Sequence, residues 1–250
     1  MARIIKRNDD PLVLKSRRYN GISIFGLSVM LLGIMLFSVP FFTDVTFEHT
    51  TGAIFFLIIA VGFIVWRLFR KQAKILGAGV TGESEVCKLL VKLPDEYTVF
   101  CNIHITHEGR TNELDFVVVG PTGVTVVETK NRKGNIIGSC EEKYWTQRKL
   151  SKNGRYNDAR FYSPTRQVAG HIYKLAAILN AAGIKTYVHG AVYFASPESS
   201  VIIKGDIEKI PVFCKEDSGE EKLLRYITGR DTRLSAEQTE KIVNLLDRKI

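Results

Sequence analysis

Asn112–Lys130, NELDFVVVGPTGVTVVETK, reads as two β-strands joined by a tight turn. Val117–Val119 and Val124–Val127 are runs rich in β-branched residues, which suit a buried pleated strand. Gly120-Pro121-Thr122-Gly123 supplies the turn, because Pro pre-sets φ and Gly tolerates positive φ. With Pro121 and Thr122 at the tip, Gly120 faces Gly123, and counting back sets Asp115 opposite Glu128. A bulge at Gly123 would shift that register by one residue. Side chains alternate along a strand, so Glu128 and Lys130 share a face. Two carboxylates and an ammonium are therefore expected at one end of a two-stranded ribbon.

Such a trio suits a divalent metal. Mg²⁺ (or Mn²⁺) takes oxygen ligands, commonly one or two carboxylates, and leaves positions for water and phosphate. A metal held by Asp115 and Glu128 would polarise a phosphoryl oxygen and acidify a bound water. Lys130 would orient that water or stabilise developing negative charge. The plain alternative is a half-buried hairpin whose acids and lysine form an ion pair. Two neighbouring acids on an apolar hairpin destabilise it unless a cation pairs with them, which favours the metal reading.

Around this core the 250-residue chain is segregated. Residues 21–42 and 50–66 contain no Asp, Glu, Lys or Arg. At about 1.5 Å per residue each is long enough, as a helix, to cross a bilayer core. Basic residues flank the pair on its outer ends, Arg3 to Arg18 before and Arg67 to Lys74 after, whereas the connection carries only Asp44 and Glu48. That asymmetry predicts both termini in the cytoplasm. The expected organisation is a basic tail (1–20), two membrane helices (21–42 and 52–69), a short external loop (43–51), a juxtamembrane linker (70–79) and a cytoplasmic domain (80–250). Of the net charge of +9, residues 1–74 hold +6, so the basic excess speaks mostly of membrane topology. The four cysteines, Cys87, Cys101, Cys140 and Cys214, lack zinc spacing and read as buried thiols. There is no Walker loop and no GxSxG.

Downstream of the linker, Thr81-Gly82-Glu83 opens a helix with an apolar stripe from Val86 to Leu93. Glu83 is either a first-turn carboxylate helped by the helix dipole or a third acid aimed at the hairpin. Glu113, two residues before Asp115, is a lesser candidate for the same face. Tyr97–Ile105 alternates as a strand. Residues 131–174 concentrate positive charge, and Arg132, Lys133, Arg148, Lys149 and Arg166 are the candidates for phosphate contacts, with Trp145 offered for base stacking or, alternatively, as a core anchor. Ser163-Pro164 caps a helix whose first turn carries Gln167, an amide suited to hold a phosphate or an attacking water. Further strands are expected at 187–195 and 210–214, and closing helices at 220–228 and 235–249, the last with a capping box.

Taken in order, these fragments resemble the nuclease-related domain (NERD) family, a branch of the PD-(D/E)xK restriction-endonuclease-like superfamily. The residues that carry the resemblance are Gly82-Glu83, Glu113-Leu114-Asp115 before a Val run, the Gly-Pro-Thr-Gly turn, Val127-Glu128-Thr129-Lys130-Asn131, Gly134, Trp145 and Ser163-Pro164-x-x-Gln167. It covers about residues 78–180. Thr129 and Ser163 depart from the residues the family more often shows. The resemblance implies an α/β fold, a restriction-endonuclease-like central mixed β-sheet flanked by helices, here preceded by a transmembrane helical hairpin. It implies Asp115 and Glu128 as metal ligands, Lys130 as the lysine of the ExK signature, Glu83 as the helix acid and Gln167 as the late polar residue. The expected activity is metal-dependent hydrolysis of nucleic-acid phosphodiesters, with DNA, rather than RNA, the expected partner. The alternative is a non-catalytic, membrane-tethered nucleic-acid-binding module or protein adaptor. Cutting both strands of a duplex needs two sites, which makes a homodimer a candidate assembly.

Overall fold

A computed structural model describes residues 1–6, 11–44, 46–151, 153–205 and 209–248. Arg7, Asp9, Asp10 and Lys152 of the basic stretches, and Lys249 of the expected last helix, lie outside the described residues. The chain divides into two units, one of Asp9–Val80 and one of Met1–Asn8 with Thr81–Ile250.

The Asp9–Val80 unit is built from α1 (Pro11–Ser38) and the first part of α2 (His49–Leu90). Both helices are long and apolar enough to cross a membrane. They close on one another where side chains are smallest. A Cβ on Gly62 would stand 2.6 Å from the Met30 nitrogen, and one on Gly26 would stand 2.7 Å from the Trp66 nitrogen. Such small-residue contacts are how apolar helices pack in lipid. Phe25, Leu31, Met35, Phe56, Leu57 and Phe63 are left exposed, an apolar surface that water does not favour. Two boundaries differ from expectation. The first helix begins at Pro11, whose fixed φ suits the opening turn, rather than at the start of the charge-free run. The expected linker at 70–79 is helical, because α2 runs unbroken to Leu90. Lys71-Gln-Ala-Lys-Ile-Leu76 are good helix formers and outweigh Gly77 and Gly79, each worth about 1 kcal/mol against a helix.

The second unit holds a six-stranded mixed sheet. Its strands are β1 (Arg3–Lys6), β2 (Thr98–His107), β3 (Arg110–Gly120), β4 (Gly123–Lys130), β8 (Val188–Phe194) and β10 (Val212–Cys214), in the spatial order β1-β2-β3-β4-β8-β10. β2, β3 and β4 form an antiparallel meander, and β1, β8 and β10 join in parallel. The part of the tail at Arg3–Lys6 is thus a sheet edge. Ala2 is buried and its N–H donates to the Val91 carbonyl at 3.1 Å.

Helices cover both faces. The end of α2 packs Val86, Leu89 and Leu90 against Val99, Phe116 and Val127. On the opposite face α3 (Pro164–Ala181) and α5 (Ala236–Asp247) set Leu175, Leu179 and Ile242 against Val117, Val124 and Val126. α4 (Gly219–Thr228) joins the α2 side through Leu223 and Ile227. The hairpin tip is pinned from both sides: the Thr122 hydroxyl donates to the Ile227 carbonyl at 2.7 Å and lies 3.1 Å from the Tyr97 hydroxyl. Ser235 and Gln238 form the expected capping box on α5.

Much of the positively charged 131–174 segment folds into a second sheet. β5 (Gly134–Ser139), β6 (Tyr144–Leu150), β7 (Tyr156–Tyr162) and β9 (Ser199–Lys204) take the order β7-β6-β5-β9. Ile136, Trp145 and Phe161 point from it into a third core cluster with Val168 of α3 and Val192 and Phe194 of β8.

Candidate active site

The hairpin register is the expected one. Gly120 pairs with Gly123, at φ +114°, and Phe116 pairs with Val127. The same count sets Asp115 across from Glu128 one step beyond. There the Thr129 N–H donates to Asp115 Oδ2 at 2.7 Å. The strands therefore exchange a backbone-to-carboxylate bond where the ladder ends.

β4 carries Glu128 and Lys130 on the face that α3 covers. Lys130 Nζ donates to Glu128 Oε1, and also to Gln167 Oε1 at 3.1 Å. Gln167 sits in the first turn of α3, which Ser163 caps by accepting the Arg166 N–H. One helical turn later, His171 Nε2 stands 3.6 Å from Glu128 Oε2. Both atoms are buried, and neither has a hydrogen-bond partner. His171 was not among the expected site residues. The readable signal was its place four residues after Gln167, on the same helical face.

Glu83 approaches from α2. Its Oε2 accepts from Asn102 Nδ2 at 3.1 Å. Asn102 was also not foreseen, and its geometry explains its use. Cys101 and Phe116 pair and lie in the core under α2, whereas Ile103 and Leu114 pair and lie in the core under α3. Residues two apart in a regular strand share a face, so the pleat inverts at Asn102 and Asp115. Asn102 makes the inversion with φ +54°, a conformation Asn tolerates better than most residues. The helix reaches this close because residue 82 has no side chain: a Cβ there would stand 2.7 Å from Asn131 Cβ.

Electrostatics divide the two central acids. Burial and the neighbouring Glu128 push Asp115 well above the usual carboxylate range, against opposing help from Lys130 and the Thr129 N–H, and Glu83 adds to the rise. Burial also acts to raise Glu128, but His171 and Lys130 together outweigh it and hold it below its ordinary value. The site thus favours one ionised and one protonated carboxyl, an arrangement that a further cation would convert to two carboxylates. Among the described residues no three His, Cys, Asp or Glu side chains converge tightly enough to hold a metal by themselves. A buried Glu128 with an unbonded oxygen and a half-buried Asp115 fit a hard cation whose remaining ligands are water and phosphate oxygens.

The expected nucleic-acid-contacting residues divide three ways. Trp145 is a correction: it is wholly buried, stacked on Phe194 and donating Nε1 to the Ser139 carbonyl at 2.9 Å, so its ring offers no face to a base. Arg132 is partly buried over Phe161, 4.2 Å from the ring centre, and donates to Gln147 Oε1 at 3.1 Å. Arg148 is forked onto Asp158 at 2.8 and 2.9 Å, Lys133 pairs with Glu198, and Arg166 donates to the Glu141 carbonyl at 2.6 Å. Lys149 is exposed. Glu113 lies on β3 opposite His104, two residues before Asp115.

Residues 78–195 match the model of the nuclease-related domain family. This part of the chain is similar to nuclease-related domains. The chain is also 40% identical over 96 residues to an uncharacterized protein of Bacillus anthracis, an alignment covering 38% of this chain and 43% of that protein. The chain therefore spans less than half the length of that relative. No solved structure matches it significantly. The matched stretch begins within α2 and ends just after β8, so it encloses Glu83, Asn102, Asp115, Glu128, Lys130, Gln167 and His171. β1, β10, α4 and α5 lie outside the match yet complete its sheet and its two core layers.

Proposed function

We propose that the protein is a membrane-anchored nuclease that hydrolyses nucleic-acid phosphodiester bonds in a divalent-metal-dependent reaction. The observation that carries this reading is the convergence of Asp115, Glu128 and Lys130 at one buried end of the hairpin, with Gln167 on Lys130 and Glu83 within electrostatic reach. Asp115 and Glu128 would hold the cation, Mg²⁺ or Mn²⁺. When bound, it supplies polarisation of the phosphoryl oxygen and an acidified water. Lys130 is fixed between Glu128 and Gln167, so its ammonium is placed to orient the attacking water and to meet the charge that develops on phosphate. Gln167 shares that task through its amide. His171 holds the far side of Glu128 and keeps it ionised. Asn102 and Glu83 set the position of Asp115's strand relative to α2.

The anchor is α1 with the first half of α2. The pairing of β1 with β2 supports a topology in which the N-terminal residues and the sheet share one side of the membrane, as two crossings require. The basic flanks make that side the cytoplasm. The substrate is DNA in preference to RNA, met by Lys149 and by arginines of the second sheet that exchange their present partners for phosphate. Cutting of both strands would need a homodimer.

Because β1 belongs to the sheet, the test uses the full chain in detergent. Plasmid, single-stranded DNA and RNA are incubated with Mg²⁺, Mn²⁺ or EDTA, beside Glu128→Ala. Metal-dependent cleavage that the variant loses is the expected result. Binding without cleavage would make the protein a tethered binding module, and neither would make it an adaptor.

A further inference from the structure

Two thiols meet beside the site without belonging to it. Cys87 Sγ on α2 lies 3.7 Å from Cys101 Sγ on β2. Cys87 is partly exposed and Cys101 is buried. They come from segments 14 residues apart and are brought together by the packing of α2 on the sheet, in the same core layer as Val86 and Val99. β1 adds a charge, since Lys6 is the register partner of Cys101 in the parallel ladder. Closing from this contact to a bond of about 2 Å asks the sulfurs to move by less than 2 Å.

We infer that Cys87 and Cys101 form a redox-active dithiol, a modification site that a peroxide converts to a disulfide. Cys87 is the attacking sulfur. The hydrogen bond from Cys101 outweighs burial, Lys6 adds to it, and the Cys87 thiol is brought down to about 6, whereas Cys101 is pushed up. A thiolate with partial exposure is the form that meets oxidants. The thiolate attacks one peroxide oxygen, the O–O bond breaks, and the other oxygen leaves and takes up a proton. Cys87 is then a sulfenic acid. Cys101 sulfur displaces its hydroxyl, which departs with the Cys101 proton as water. Two thiols and one hydrogen peroxide thus give one disulfide and two waters, with two electrons passing from sulfur to the O–O bond.

The bond would tie the segments that already meet through Glu83 and Asn102. Glu83 is one turn before Cys87, and Asn102 directly follows Cys101. That consequence for catalysis rests on the function proposed above; the disulfide itself does not.

The test is chemical and is read by mass. Full chain in detergent is treated with hydrogen peroxide at pH 7, alkylated with iodoacetamide, and digested without reductant. The expected product is a peptide pair linking Cys87 to Cys101, lighter than the reduced peptides by two hydrogen atoms and separated by dithiothreitol. Cys140 and Cys214 remain alkylated, and Cys87→Ser or Cys101→Ser loses the link. Any of three results overturns the inference: Cys87 carried to sulfinic acid with no link, both thiols still alkylated at peroxide levels that oxidise an exposed methionine, or Cys87 joined only to a second chain. A protein with no nuclease activity passes or fails on the same reading.

Discussion

Replacing Asp115 with Asn should stabilise the protein while abolishing its metal response. Asp115 is half-buried near fully buried Glu128, and desolvation plus the Glu128 charge hold Asp115 well above the usual carboxylate range. A carboxyl whose folded pKa is raised binds a proton more tightly folded than unfolded. Its ionisation therefore weakens the fold at neutral pH, and the penalty disappears as pH falls through the folded value toward the unfolded one. Asn has the same shape and its oxygen can still accept the Thr129 N–H, which is 2.7 Å from Oδ2. The substitution thus removes an ionisable carboxyl and little else. Stabilising changes at strained functional sites are commonly worth about 0.5–2 kcal/mol. For a domain of this size that is a rise of roughly 1–8 °C in melting temperature. Thermal unfolding of the full chain in detergent, with EDTA at pH 7.5, should show it. The gap from wild type should narrow as pH is lowered toward the unfolded value, because the unfolded wild-type chain then also binds a proton at Asp115. Adding Mg²⁺ should reverse the order. At one hundred times its dissociation constant a ligand adds about 2.7 kcal/mol, available only to the protein that binds it. A variant that melts below wild type in EDTA, or that gains as much from Mg²⁺, would refute the claim that these acids repel each other for want of a cation.

Three further outcomes test the rest of the site. Asn102→Ala should cost about 1 kcal/mol more stability than Asn102→Gly, since both lose the bond to Glu83 but only Ala strains at φ +54°; equal urea midpoints would dissolve the account of the inverted pleat. Trp145→Ala should lower stability by about 3–5 kcal/mol, and Trp145→Phe, which keeps a ring against Phe194, should leave nucleic-acid affinity within two-fold by fluorescence anisotropy (roughly 0.4 kcal/mol). A selective loss of affinity in a well-folded Phe variant would return Trp145 to the binding surface. His171→Ala removes the neighbour that favours ionised Glu128, so the acid limb of the cleavage–pH profile should move to higher pH; an unmoved limb would leave His171 a packing residue.

What the sequence displayed, and what it hid, follows from how far each feature depends on contacts distant along the chain. The hairpin was legible because its register is a local matter: a Pro-Thr tip between two glycines leaves one count, and the count decides that Asp115 meets Glu128. Ser163 and Ser235 were legible for the same reason, since a cap satisfies N–H groups three residues away. The second sheet was not. Its strands are short and carry Lys, Arg, Asn and Tyr on the outer side, and their apolar side is a handful of residues, Ile136, Trp145 and Phe161, whose burial depends on α3 and β8. A ring that must find Phe194 looks, in sequence, like one waiting for a base. β1 was hidden more deeply, because two isoleucines in a basic tail become a strand only when β2 presents an edge some ninety residues later. Asn102 and His171 lie between these cases. Each sits one step from a residue that pattern alone had chosen, Asn102 across the ladder from Asp115 and His171 one turn past Gln167. Carboxylates buried this closely need partners from both neighbouring layers. Once Asp115 and Glu128 are placed, the strand before and the helix after are where those partners must be sought, and the chain supplies one from each.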